Sequence, residues 1–217
     1  MNNLMQQPES FATLHPPLLI GIHKAMIHML RSGQVSGGGG YYEFGLYRGF
    51  SFWYANNLAK SMGLNYEFHG FDSFEGLPTS QVDRHRNWQP GNYACDLAQV
   101  NSWLEQWKMP LPYKLHKGWY SPELFSEIEK HNQLPKVRIA LIDCDLYESA
   151  VEVLRMLRPR LAVGTIILFD DFNAFSGDDN HGERRAVREF EYSVPSFSKS
   201  HLFSFGPWGE AFEVTAI

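Results

Sequence analysis

Residues 41–51, YYEFGLYRGFS, decide the fold. An aromatic run carries the acid Glu43 and then opens into two glycines, Gly45 and Gly49. A strand that enters a glycine-bearing turn and continues as a helix is how an open α/β sheet builds its first ligand site. The glycines let the backbone approach the ligand, and the helix offers unpaired N–H groups. The pattern E-x-G-x-x-x-G lacks the first glycine pair of the dinucleotide fingerprint, so it gains meaning only from the segments around it.

Outward from this segment, strands and helices alternate. Residues 16–31 have apolar residues at helical spacing and predict an amphipathic helix. The glycine-rich 32–40 reads as a flexible connector, which divides the chain into an appendage at 1–40 and a ligand-binding domain at 41–217. The appendage is expected to act as a lid or as a contact between two copies. Helices are predicted at about 51–62, 96–108, 122–131, 147–158 and 184–192, and strands at 41–45, 66–71 and 113–116. VRIALID (137–143) and GTIILFDD (164–171) are continuous apolar runs ending in acids, the pattern of central parallel strands buried on both faces. Two strand-like runs at 200–205 and 211–215 flank GPWG and predict a hairpin. The expectation is a doubly wound, mostly parallel α/β sheet with an antiparallel edge at the C-terminal end.

Composition narrows the function classes. The chain has 217 residues, 44% hydrophobic and 15% aromatic, enough for one large core. A net charge of −5 argues against a nucleic-acid footprint. Cys95 and Cys144 lack metal or redox spacing, no apolar run is long enough to span a membrane, and no signal-peptide pattern opens the chain. A cytoplasmic protein is expected, with a small-molecule partner.

Chemistry in such sheets gathers at the carboxyl ends of the strands. Asp72, ending the second strand, is placed to accept hydrogen bonds from ribose hydroxyls, or else to cap a turn. Asp143 and Asp145 end the fourth strand, and Asp170 and Asp171 end the fifth. Neighbouring strands lie about 4.8 Å apart, so these carboxylates converge and repel. A hard divalent cation such as Mg²⁺ removes that conflict; the alternative is that the acids cap the following helices and one of them is protonated.

Together EFGLYRGFS, FDSFEGLP, IDCDLYES, the paired acids of the next strand and GERRAVREF resemble the macrocin O-methyltransferase family. The resemblance runs from about residue 41 to 192 and implies a Rossmann-like class I fold. It also implies a sugar O-methyltransferase of natural-product biosynthesis that uses S-adenosylmethionine and Mg²⁺. By the same resemblance Glu43, Gly45, Tyr47, Gly49 and Ser51 would form the cofactor loop. Asp72, Ser73 and Phe74 would hold ribose and adenine, with Asp143 beside them. Asp143, Asp170 and Asp171 would bind the metal. Asp145 is open between ligand, outer acid and base. Cys144 and Val163 stand where family members carry glycine, which leaves the acceptor open.

His181, in the loop beyond the metal strand, is a candidate base beside Asp145 and Asp143; an exposed loop residue is the plain alternative. His116 is a lesser candidate. Arg184 and Arg185 read as substrate-anion contacts or helix caps. Trp88 and Tyr93 could wall an acceptor pocket, whereas Trp103 and Trp107 have core spacing. A catechol or phenol methyltransferase and a non-catalytic partner of a biosynthetic complex are the competing readings. A nucleotide-sugar epimerase is disfavoured by the missing fingerprint.

Overall fold

The computed structural model describes residues 15–33, 38–85, 87–131 and 133–217. Residues 34–37 of the connector and Arg86 lie outside the described residues. In chain order the elements are α1 (Pro16–Arg31), β1 (Gly40–Phe44), α2 (Phe50–Ser61), β2 (Glu67–Asp72), α3 (Leu97–Gln106), β3 (Tyr113–Lys117) and α4 (Pro122–His131). They continue with β4 (Val137–Ile142), α5 (Tyr147–Leu157), a 3-10 turn (Arg158–Arg160), β5 (Ile166–Phe169), α6 (Gly182–Ser193), β6 (Ser198–Phe205) and β7 (Gly209–Ala216).

The seven strands form one sheet in the order β3-β2-β1-β4-β5-β7-β6. β1 to β5 pair in parallel, while β7 runs antiparallel to both β5 and β6. Both faces of the central strands are buried, as their apolar runs require. Successive side chains point to opposite faces. Tyr41, Ile139, Leu141, Ile166 and Leu168 therefore pack under α1, α2 and α3. Tyr42, Phe44, Ala140, Ile142, Ile167 and Phe169 pack under α4, α5 and α6. Each of the larger apolar side chains contributes about 1.5–3 kcal/mol on burial.

Gly40, read from sequence as connector, belongs to β1: it pairs with Glu67, and its N–H donates to the Lys136 carbonyl at 2.9 Å. Ladder bonds on both sides capture a residue whose composition alone suggests a loop. Strand order reverses between β1 and β4, and that switch point is where open α/β sheets bind ligands. At the far edge α1 lies against the β6–β7 hairpin. A side chain at Gly21 would begin 2.8 Å from the Phe205 ring, so only glycine permits this approach. No described helix is long and apolar enough to cross a membrane.

Candidate active site

The loop after β1 is built by backbone geometry that side chains do not tolerate. Gly45 has φ +92, and a Cβ there would lie 1.8 Å from the Asp143 carbonyl oxygen. The close approach welds the β1 and β4 ends together, with Asp143 N–H donating to the Phe44 carbonyl at 2.9 Å. Gly49, φ +74, sits in the left-handed region at the N-cap of α2.

Asp72 fastens this loop. Its Oδ2 accepts the N–H groups of Leu46 (2.6 Å) and Tyr47 (3.1 Å), and Oδ1 accepts that of Phe74 (2.6 Å). Burial nonetheless raises its carboxyl above the usual value, against those three donors. Glu43 lies beneath the loop, fully buried, accepting from Tyr41 Oη (2.8 Å) and Ser51 Oγ (2.6 Å). Burial pushes its carboxyl up to about 7, with the two hydroxyl donors pulling the other way.

The second half of the site is acidic. Asp143, Asp170 and Asp171 each present an oxygen within 4.8 Å of the others. Asp145 adjoins them with φ +62, in a turn closed by Leu146 N–H donating to the Cys144 carbonyl at 2.6 Å. Burial, then the neighbouring Asp170 and Asp145, drive Asp143 well above the ordinary carboxylate range. Asp171 is shifted the same way by burial and by Asp145. Asp145 is pushed up to about 7 by burial, although its hydrogen bond with Asp171 opposes the rise.

Sequence reading missed a fifth acid, Glu183, in the first turn of α6. It is fully buried; Oε2 accepts the Asp171 N–H at 3.2 Å, and Oε1 has no partner among the described residues. An all-oxygen set of crowded, buried carboxylates with one orphaned acceptor fits a hard divalent cation, which neutralises the repulsion. Asp143, Asp170 and Asp171 are the residues that could hold it.

Both halves open on one cavity of about 810 Å³. Of the residues expected from sequence, it is lined by Gly45, Tyr47, Ser51, Asp72, Ser73, Asp143, Asp145, Asp170 and Asp171, and also by Trp88 and Tyr93. Glu43, Gly49 and Phe74 do not line it; they hold the loop from beneath, Phe74 packing into the core. His181 does not reach it either. Its Nδ1 lies 3.1 Å from Asp83 Oδ1, and its ring stacks on Phe175 at 5.2 Å.

His116 is paired with His69 at 3.1 Å between β2 and β3, where burial lowers both imidazoles, to about 4 and about 3. Arg184 binds Asp179 and Asn173, and Arg185 binds Glu189, so both serve the surface of α6 and the loop before it. Trp103 and Trp107 stack on each other at 6.2 Å away from the cavity.

Further lining residues had weaker signals or none. Trp119 and Tyr120 follow β3, so the strand-end rule could have found them. His15, Leu18 and Leu19 come from α1, and Trp208 from the β6–β7 turn, positions that only tertiary packing brings to the site.

The structure superposes on the O-methyltransferase NovP with a TM-score of 0.72 at 18% identity, covering 92% of this chain and 80% of that one. The calicheamicin methyltransferase CalS11 gives 0.70 at 22% identity, covering 90% and 77%. These likenesses establish the class I methyltransferase fold that the family resemblance implies. A curated relative from Streptomyces olivaceus, 8-demethyl-8-(2,3-dimethoxy-alpha-L-rhamnosyl)-tetracenomycin-C 4'-O-methyltransferase, is 32% identical over 111 residues. That alignment takes in 46% of this chain and 40% of the relative's length. The family model described as macrocin-O-methyltransferase (TylF) matches residues 22–193, and the chain belongs to that family.

Proposed function

We propose that this protein transfers a methyl group from S-adenosylmethionine to a hydroxyl of a sugar carried on a small natural product. One observation carries the reading: the glycine loop with Asp72 and the trio Asp143, Asp170 and Asp171 face the same cavity. Its volume is in the upper part of the range for small-molecule sites, about 300–1,000 Å³, room for a cofactor and an acceptor side by side. Family membership supports the reaction type, and the tetracenomycin-sugar relative supports a ring hydroxyl of an attached sugar as the acceptor.

Strand order divides the work. Over β1, β2 and the start of the β4 turn, the backbone of Gly45–Tyr47, Ser51, Asp72, Ser73 and Trp119 would hold the cofactor. Over β4, β5 and β7, the trio would hold Mg²⁺, with Trp88, Tyr93 and Trp208 walling the acceptor. Bound there, the two groups supply an activated methyl and a positive charge facing the hydroxyl to be methylated. The chain's own task is to align and deprotonate. Asp72 orients the Leu46 and Tyr47 N–H groups, and Glu43 orients Ser51. Asp145, at a positive-φ turn beside the trio and lining the cavity, would take up the acceptor's proton at a carboxylate oxygen. Aromatic walls exclude water, which keeps the reacting groups oriented.

Two free cysteines, and no membrane-length helix among the described residues, support a cytoplasmic enzyme. The partly exposed face of α1, with Ile20 outermost, supports its reading as a lid or a contact between copies. The test is calorimetric titration with S-adenosylhomocysteine with Mg²⁺ present and then chelated, followed by radiolabelled methyl transfer to glycosylated acceptors. Micromolar binding and metal-dependent transfer are expected. Failure to bind S-adenosylhomocysteine in either condition would remove the assignment.

A further inference from the structure

Asp170 differs from its neighbours in how it is held. Asp171 is hydrogen-bonded to Asp145, and its N–H is taken by Glu183. Asp170 reaches no such partner on its own strand end or on α6. The side chain that meets it comes from the other end of the sequence: His15 Nδ1 lies 3.3 Å from Asp170 Oδ2, and His15 lines the cavity.

The placement of His15 is constructed. It occupies the N-cap of α1, a position whose side chain usually bonds the first N–H groups of the helix, yet it makes no capping bond. The next two residues, Pro16 and Pro17, have no N–H to satisfy, so the imidazole is released from that duty. The helix itself is pinned at two points against the β6–β7 hairpin. A Cβ on Gly206 would stand 2.9 Å from Pro17 Cβ, and one on Gly21 would stand 2.8 Å from the Phe205 ring. Leu18, Ile22 and Met26 bury the same face. With the helix seated in this way, His15 projects over the carboxyl end of β5.

We propose that His15 is a positioning residue of the metal site: α1 reaches across the sheet and, through the His15 imidazole, fixes the orientation of the Asp170 carboxylate. One carboxylate oxygen is engaged by the histidine, which leaves the other without that partner, near Asp143 and Asp171. Groups that hold a metal ligand from outside set its direction and basicity, and losing one typically weakens metal affinity about 10–100-fold. The inference rests on the cation reading of Asp143, Asp170 and Asp171 given above, and extends the site to a residue that precedes the matched region of the family.

The test uses the full chain with Mn²⁺ as probe, its affinity read by electron paramagnetic resonance, and S-adenosylhomocysteine affinity read by calorimetry. His15→Ala is expected to weaken Mn²⁺ binding about 10-fold or more, with S-adenosylhomocysteine affinity unchanged. His15→Asn, whose amide N–H can stand near the position of Nδ1, is expected to restore most of the Mn²⁺ affinity. Wild-type Mn²⁺ affinity in His15→Ala overturns the proposal, as does an Asn variant as weak as the Ala variant. Equal losses of both affinities, with a lowered melting temperature, assign His15 to helix docking alone and also overturn it. If the unsubstituted protein binds no Mn²⁺, the cation reading itself fails and this inference falls with it, a result distinct from the others.

Discussion

The two halves of the cavity are satisfied in different ways. At the β1–β2 end the single acid in the loop, Asp72, receives three backbone N–H groups, and Glu43 below receives two hydroxyls. At the β4–β5 end the carboxyl groups outnumber their donors: four aspartates and Glu183 crowd together, and Glu183 Oε1 has no partner among the described residues. The first half is complete within the chain and therefore pre-organised. The second keeps, among the described residues, an excess of carboxylates that a divalent cation would neutralise. Fold stability should accordingly depend on the first half, and catalytic competence on the second.

The largest effect is expected where the two halves touch. Gly45→Ala would drive a Cβ into the Asp143 carbonyl and should cost about 4 kcal/mol or more. Denaturant unfolding would read it, and a variant as stable as the parent would break the claim that the halves are welded there. Next, Asp170→Asn removes one charge from the acid end alone. Methyl transfer should fall about 100–1,000-fold, as when one group that stabilises the transition state is lost, while S-adenosylhomocysteine titration stays at the parent value. Equal loss of both would mean that the halves are not separable.

A smaller effect tests the cofactor half by pH. The folded carboxyl of Glu43 sits at about 7, above its unfolded value of 4.5, so its contribution is fully present below pH 4.5 and is lost as pH rises through 7. Glu43→Gln keeps both hydroxyl contacts within reach and does not titrate. The variant's stability relative to the parent should rise by about 3 kcal/mol between pH 4.5 and 8, measured by urea unfolding. A pH-independent difference would show that Glu43 is not strained by burial. Smallest is Glu183→Gln, which removes one of the crowded acids. With the metal chelated, it should stabilise the fold by about 1 kcal/mol and so shrink the stabilisation that Mg²⁺ confers. Thermal melts with and without Mg²⁺ would register it, and an unaltered Mg²⁺ effect would place Glu183 outside the acid site.

Much of this was legible before any coordinates. The apolar runs at 137–143 and 164–171 read as buried parallel strands because nothing else accommodates such runs between turns. Their terminal acids then had to converge. The loop 41–51 carried its glycines where positive φ and close approach demand them. Less legible was which residues face the ligand. Glu43 and Phe74 lie in motifs that resemble cofactor loops, yet both point into the protein beneath the cavity. His181 stood near the metal strand in sequence, but the loop turns its ring to Phe175 and Asp83.

Sequence alone determined the sheet class and the convergence of the strand-end acids, because these depend on local pattern: alternation, glycine placement and the ends of apolar runs; the family was legible only through the resemblance of its motifs. Only the tertiary structure decided the walls of the cavity. Trp208 arrives by the hairpin return, Glu183 by the first turn of α6, and His15 by the docking of a helix from before the first strand. Each is set by packing between segments far apart in the chain, where a 2.8 Å clearance at Gly21 matters more than any spacing along the sequence.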